Sequence, residues 1–165
     1  MRIIGIDPGY AIMGYGIVDQ SGNQFRPVAY GCITTDKDLH MPDRLKRLYE
    51  GLTEVITEYQ PDEASVEQLF FNTNTTTAMQ VGQARGVAIL ACANLGLPVF
   101  EYTPLQIKTS LTGYGRAQKT QMQSMTKMLL GLPGIPKPDD AADALATALC
   151  HGYTGPAQKR LYVLK

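Results

Sequence analysis

Four acidic residues stand where a folding chain has least use for them, and any fold for this sequence has to account for their positions. Asp7 closes the apolar run Ile3-Ile4-Gly5-Ile6, and Glu67 closes Ala64-Ser65-Val66. Asp140 and Asp143 interrupt an alanine- and leucine-rich stretch that runs to Leu149. Ionised carboxylates are rarely buried unless paired or coordinated. Two of these acids end strand-like runs and two share a helix face. A fold that gathers those ends makes a carboxylate cage for a hard divalent cation. Singly, each has a plainer reading. Asp7-Pro8-Gly9 is a turn sequence, Glu67 can pair with Arg85, and Asp140 can cap a helix. Asp143 is harder to set aside, because it lies one turn after Asp140 on a face that Thr147 continues. Ala141, Ala142, Leu145, Ala148 and Leu149 form the opposite side, small enough to let a helix approach a sheet closely.

Periodicity places these acids on elements. Arg2–Asp7 reads as a buried strand, and 11–19 and 24–34 as a hairpin joined by Ser21-Gly22-Asn23. Leu45, Leu48, Tyr49, Leu52, Val55, Ile56 and Tyr59 recur at helical spacing between Pro42-Asp43 and Pro61. A fourth strand ends at Glu67. A long helix follows from a cap at Asn74 to about Asn94, then a strand over 97–102, a short helix from Pro104 and a helix over 118–130. A proline-rich linker precedes the last helix, 140–150. This order predicts an α/β fold, a mixed five-stranded sheet with helices on both faces. Residues 1–152 read as one domain and 153–165 as a mobile basic tail.

Composition narrows the class. The chain has 165 residues, 44% of them apolar, enough for a single core. Fifteen basic and fifteen acidic residues cancel, but not evenly along the chain. The first 101 residues hold 7 Lys/Arg and 12 Asp/Glu; the rest hold 8 and 3, the three being Asp139, Asp140 and Asp143. A basic surface around an acidic site attracts a phosphodiester, although uneven charge alone is commonly a solvated face. Cys32, Cys92 and Cys150 lie far apart in apolar segments and read as reduced core thiols of a cytoplasmic protein. No apolar run reaches the ~20 residues of a membrane span.

The basic candidates are Arg85, Lys108, Arg116 and Lys119. Lys119 follows a glycine-rich stretch, but Gln118 stands where a phosphate loop of the Walker type needs glycine, so that reading is rejected. Phe70 is either a core aromatic or a wedge that stacks on bases. The polar run 72–77 suits phosphate contact or helix capping. Met122, Met125 and Leu129 read as core, and His151 as a helix C-terminal cap.

Ile6-Asp7-Pro8-Gly9, Glu67-Gln68-Leu69-Phe70, Gly82-Gln83-Ala84-Arg85-Gly86, Phe100-Glu101-Tyr102 and Asp140-Ala-Ala-Asp143-Ala-Leu-Ala together resemble the RuvC family of crossover (Holliday) junction endodeoxyribonucleases. The resemblance runs in order from about residue 1 to 152 and implies a ribonuclease H-like fold. It further implies a metal-dependent nuclease with Asp7, Glu67, Asp140 and Asp143 as acidic tetrad, and Lys108 and Lys119 near the scissile phosphate. Phe70 would stack at the junction centre, with Arg85 and Arg116 among the DNA contacts. A homodimer nicking four-way DNA junctions symmetrically is implied, working with a branch-migration motor of the RuvA and RuvB type. Mg²⁺, two ions with DNA bound and replaceable by Mn²⁺, suits hydrolysis at such a site. Of the adjacent Asp139 and Asp140, the i, i+3 spacing to Asp143 favours Asp140. Rival readings are a sugar-kinase-type ATPase, which needs two lobes, a nuclease for RNA–DNA hybrids, and a non-catalytic DNA-binding module.

Overall fold

The computed structural model describes residues 1–68 and 75–164. Strands β1 (Arg2–Asp7), β2 (Ile12–Ser21) and β3 (Gln24–Thr34) form an antiparallel meander. Helix α1 (Met41–Tyr59) then crosses to β4 (Glu63–Glu67), which runs parallel to β1. Helix α2 (Thr75–Asn94) leads to β5 (Val99–Tyr102), parallel to β4. The sheet order is β3-β2-β1-β4-β5. Four helices follow: α3 (Pro104–Thr112), α4 (Lys119–Leu129), α5 (Asp139–Tyr153) and α6 (Pro156–Tyr162). The mixed five-stranded sheet expected from the sequence is thus present, with helices on both faces.

Each sheet face has its own core, and strand alternation decides which side chain joins which. Ile4, Ile6, Ala64, Val66 and Val99 meet Leu48, Leu52 and Ile56 of α1 and Ala84, Ala88 and Cys92 of α2. Ile3, Phe100 and Tyr102 meet Ile107 and Leu111 of α3, Met122 of α4, and Leu145 and Leu149 of α5. Helix α5 lies almost wholly inside, since every residue from Ala144 to Gly152 is buried.

Glycine allows that burial. A Cβ on Gly5 would land on the Ala144 carbonyl and 2.6 Å from the Ala148 nitrogen. A Cβ on Gly14 would strike the Asp140 carbonyl, and one on Gly16 would lie 2.8 Å from the Leu145 nitrogen. Helix and sheet therefore pack backbone against backbone. The alanines on α5 pointed to close packing; the matching glycines on β1 and β2 complete it.

Several boundaries differ from expectation. Helix α5 starts after Pro138, so Asp140 lies within its first turn instead of capping it. Residues 156–162, expected to belong to a basic tail, form α6. Its Lys159 donates to Glu63 at 2.6 Å, and Val163 bridges to Phe100. Cys92 and Cys150 are buried as expected, whereas Cys32 is partly exposed. Asn74, Phe70, Phe71 and the start of the polar run at Asn72 lie outside the described residues. Among the described residues no helix is long and apolar enough to cross a membrane.

Candidate active site

The sheet puts two carboxylates side by side. β1 and β4 are parallel neighbours in register through Ile6 and Val66, so Asp7 and Glu67, one step further, end adjacent strands. Parity sends both to the α5 face: Asp7 shares it with Ile3 and Gly5, and Glu67 with Glu63, which bonds to α5 through His151. Helix α5 runs back along β1. Its Gly152 end lies over Ile3, and its first turn lies over Gly14, the strand partner of Asp7. Asp140 and Asp143 thereby arrive beside the same strand ends, and the positive end of the helix dipole faces them.

The charges feel one another strongly. Burial raises the Asp7 carboxyl to about 7, helped by Glu67, Asp143 and Asp140 and opposed by Lys119. Burial also raises Glu67, with Asp143 adding and Lys108 opposing. Asp143 is raised by burial and held back by Lys119. A cleft of ≈ 270 Å³ opens here, lined by Glu67, Lys108, Lys119, Asp143, Met122 and Thr147 among others. Lys119 Nζ bridges Asp139 and Asp143, 3.3 Å from an oxygen of each. Burial pulls the Lys119 ammonium down, but these two carboxylates more than offset it and its pKa rises.

A divalent cation suits this donor set by charge. Glu67 and Asp143 line the cleft, the charges of Glu67, Asp143 and Asp140 act on Asp7, and carboxylates supply the hard oxygens that Mg²⁺ prefers. The cage expected from the sequence is not closed, however. Among the described residues no group of three His, Cys, Asp or Glu side chains converges to grip one ion.

The other expected site residues divide. Lys108 and Lys119 line the cleft, and Arg116 is exposed on the loop between α3 and α4. Arg85 is not brought here. It pairs with Glu101 on the α2 face of the sheet, and not with Glu67. Phe70 lies outside the described residues. Sequence reasoning passed over Gln123, whose Nε2 donates to Asp139 at 3.0 Å; its place one turn after Lys119 was the available signal. His151 is no helix cap. It is fully buried, receives the Tyr102 hydroxyl at Nδ1 (2.7 Å) and donates from Nε2 to Glu63 (2.6 Å).

The family described as "Crossover junction endodeoxyribonuclease RuvC" matches residues 3–151. A relative of that name from Desulforamulus reducens is 58% identical over 151 residues, covering 92% of this chain and 93% of the relative. The Thermus thermophilus RuvC structure superposes with a TM-score of 0.87 at 32% identity, covering 99% of this chain and all of that one. The same Thermus thermophilus protein in complex with Holliday junction substrate gives a TM-score of 0.91, covering 99% of each chain.

Proposed function

The chain belongs to the RuvC family of crossover junction endodeoxyribonucleases, and from that premise we propose how its own residues make the cut. It is a nuclease of four-way (Holliday) junctions in DNA recombination and repair. One observation carries the assignment of roles: Glu67 and Asp143 line a cleft with Lys108 and Lys119, and the charges of Glu67, Asp143 and Asp140 all act on Asp7.

Asp7, Glu67, Asp140 and Asp143 would hold Mg²⁺, two ions with DNA bound, and Mn²⁺ would substitute. Bound there, the metal would supply a hydroxide for attack and neutralise charge on the leaving oxygen. The protein's own part is positional. Asp7 and Glu67 are fixed by strand register, and Asp140 and Asp143 by a helix that glycines clamp to the sheet. Lys119 and Lys108 face the scissile phosphate and stabilise charge that develops on it. Arg116 and the carboxylate-free segment from Tyr102 to Pro138, which carries five Lys/Arg, grip the flanking phosphates. Phe70 follows Glu67 by three residues and stacks on bases at the junction centre.

Paired nicks at matched positions require two sites related by a two-fold axis, hence a homodimer. Helix α2 supplies a suitable face: Met79 and Leu90 are 65% and 51% exposed, and Gly86 between them has open space around it. Work beside a RuvA and RuvB type motor in the cytoplasm completes the proposal, and residues 1–152 form its nuclease domain.

The deciding experiment incubates the protein and Mg²⁺ with a labelled four-way junction, a linear duplex and an RNA–DNA hybrid. Paired nicks in the junction alone are expected. Preferential cutting of the hybrid would overturn the reading.

A further inference from the structure

The ion bridge at the cleft rim contains one carboxylate that the tetrad does not use. Asp139 presents one oxygen to Lys119 Nζ at 3.3 Å and the other to Gln123 Nε2 at 3.0 Å. Gln123 is buried, lies one turn after Lys119 on α4, and so ties Asp139 to the helix that Lys119 begins. Lys137 Nζ approaches the same carboxylate at 4.0 Å. The result is a closed loop: α4 supplies Lys119 and Gln123, and the first two turns of α5 supply Asp139 and Asp143.

We propose that Asp139 is a positioning residue for Lys119. By sharing the ammonium with Asp143 it keeps Lys119 at the cleft mouth and prevents a one-to-one pair with Asp143. Without Asp139 the ammonium has a single carboxylate partner, and it collapses onto the oxygen that Asp143 would offer a cation. Both functions of the pair then suffer: Lys119 leaves the phosphate side, and Asp143 is neutralised. The bridge cannot serve mainly as a structural clamp. Lys119 and Asp139 are 54% and 46% exposed, and exposed ion pairs add little to stability.

This inference rests on the nuclease reading of the site, and the test separates the two. Asp139→Asn, Lys119→Ala, the double variant and Asp143→Asn are compared as full-length chains by cleavage rate at saturating enzyme, junction affinity and melting-temperature rise with Ca²⁺. Asp139→Asn should lower the cleavage rate about tenfold, within the ~10²-fold that misplacing a reacting group can cost. Its melting temperature without metal and its junction affinity should match the parent. The Ca²⁺ concentration giving half the thermal rise should increase. In the Lys119→Ala background, adding Asp139→Asn should change neither rate nor Ca²⁺ response by more than about twofold, because its effect acts through Lys119. Asp139→Glu, which keeps the charge, should recover part of the rate.

A parental rate for Asp139→Asn overturns the proposal. So does an equal loss in the Lys119→Ala background, which would mean that Asp139 acts only by its charge. If Asp143→Asn cuts at the parental rate, the underlying reading of the site fails instead.

Discussion

Asp7 carries the largest share of the site's electrostatic tension, and its substitution is correspondingly informative. Its carboxyl is raised from 3.8 to about 7, burial first and the other carboxylates after it. The folded state thus binds a proton more tightly than the unfolded chain, so ionising Asp7 costs stability as pH rises from about 4 to 7. Asp7→Asn should make the metal-free protein more stable at pH 8, with a ceiling of about 4 kcal/mol at ~1.36 kcal/mol per pKa unit. Urea melts with and without Mg²⁺ check this. The variant should also lose the parent's stabilisation by Mg²⁺, since a ligand that binds only the folded state raises stability by mass action. A variant less stable than the parent at pH 8 would contradict the strained-carboxylate account. That the four acids lie near one another was legible in the sequence, because strand-ending and helix-interrupting carboxylates violate ordinary burial, and the other three all act on Asp7. The bridge that joins Asp139 to Gln123 and Lys119 was not, because a contact between two separate helices cannot be read from the periodicity of either one. His151 was misread for a similar reason: its partners, Tyr102 and Glu63, come from strands far away in the chain.

Among the elements, α5 and its bed of glycines set the accuracy of the site. Gly5→Ala places a methyl group on the Ala144 carbonyl, and backbone cannot yield as a flexible side chain would. Overpacked cores lose ~1–3 kcal/mol, occasionally more, and the upper end is expected here. Cleavage should fall in the surviving folded protein, because a helix pushed off β1 carries Asp140 and Asp143 with it. Circular dichroism melts and single-turnover rates test both parts, and a fully active, parentally stable Gly5→Ala would refute the close-packing argument. Gly86 offers the contrast. Nothing lies within 4 Å of its missing Cβ, so Gly86→Leu should fold normally yet weaken the dimer proposed on α2, which sedimentation of parent and variant would read. Periodicity located the strands and the long helices. It did not locate α6, whose short amphiphilic span is held by the Lys159–Glu63 contact and a bridge to Phe100, interactions that only the folded chain assembles.

Across the whole molecule, two titrations oppose each other on either end of α5. Burial lowers His151 from 6.5 to about 4, against the pull of Glu63. The fold therefore favours neutral His151, and stability is lost as pH falls from about 6.5 toward 4. Glu63, held below its ordinary value despite burial by Lys159 and His151, adds a loss in the same acid direction. Asp7 slopes the other way over nearly the same range. Glu67 and Asp143, also raised by burial, add to the Asp7 slope, so the metal-free parent should lose less stability than Asp7→Asn as pH falls from 7 to 4. Asp7→Asn should uncover a steep acid loss of up to about 3 kcal/mol, and His151→Gln should flatten it again, as read from denaturation midpoints at half-unit pH steps. A parent profile as steep as that of Asp7→Asn would mean that Asp7 is not perturbed as described. The charge segregation along the chain has a further consequence for how such a protein can change over time. From Tyr102 to Pro138 there is no carboxylate, and every acid of the tetrad lies outside that stretch. On the roles proposed above, mutations in the α3–α4 hairpin that spare Lys108 and Lys119 can therefore retune which DNA shapes are held without disturbing the groups that cut. Apart from those two lysines, grip and chemistry are then heritable separately, and selection can rewrite one while leaving the other intact.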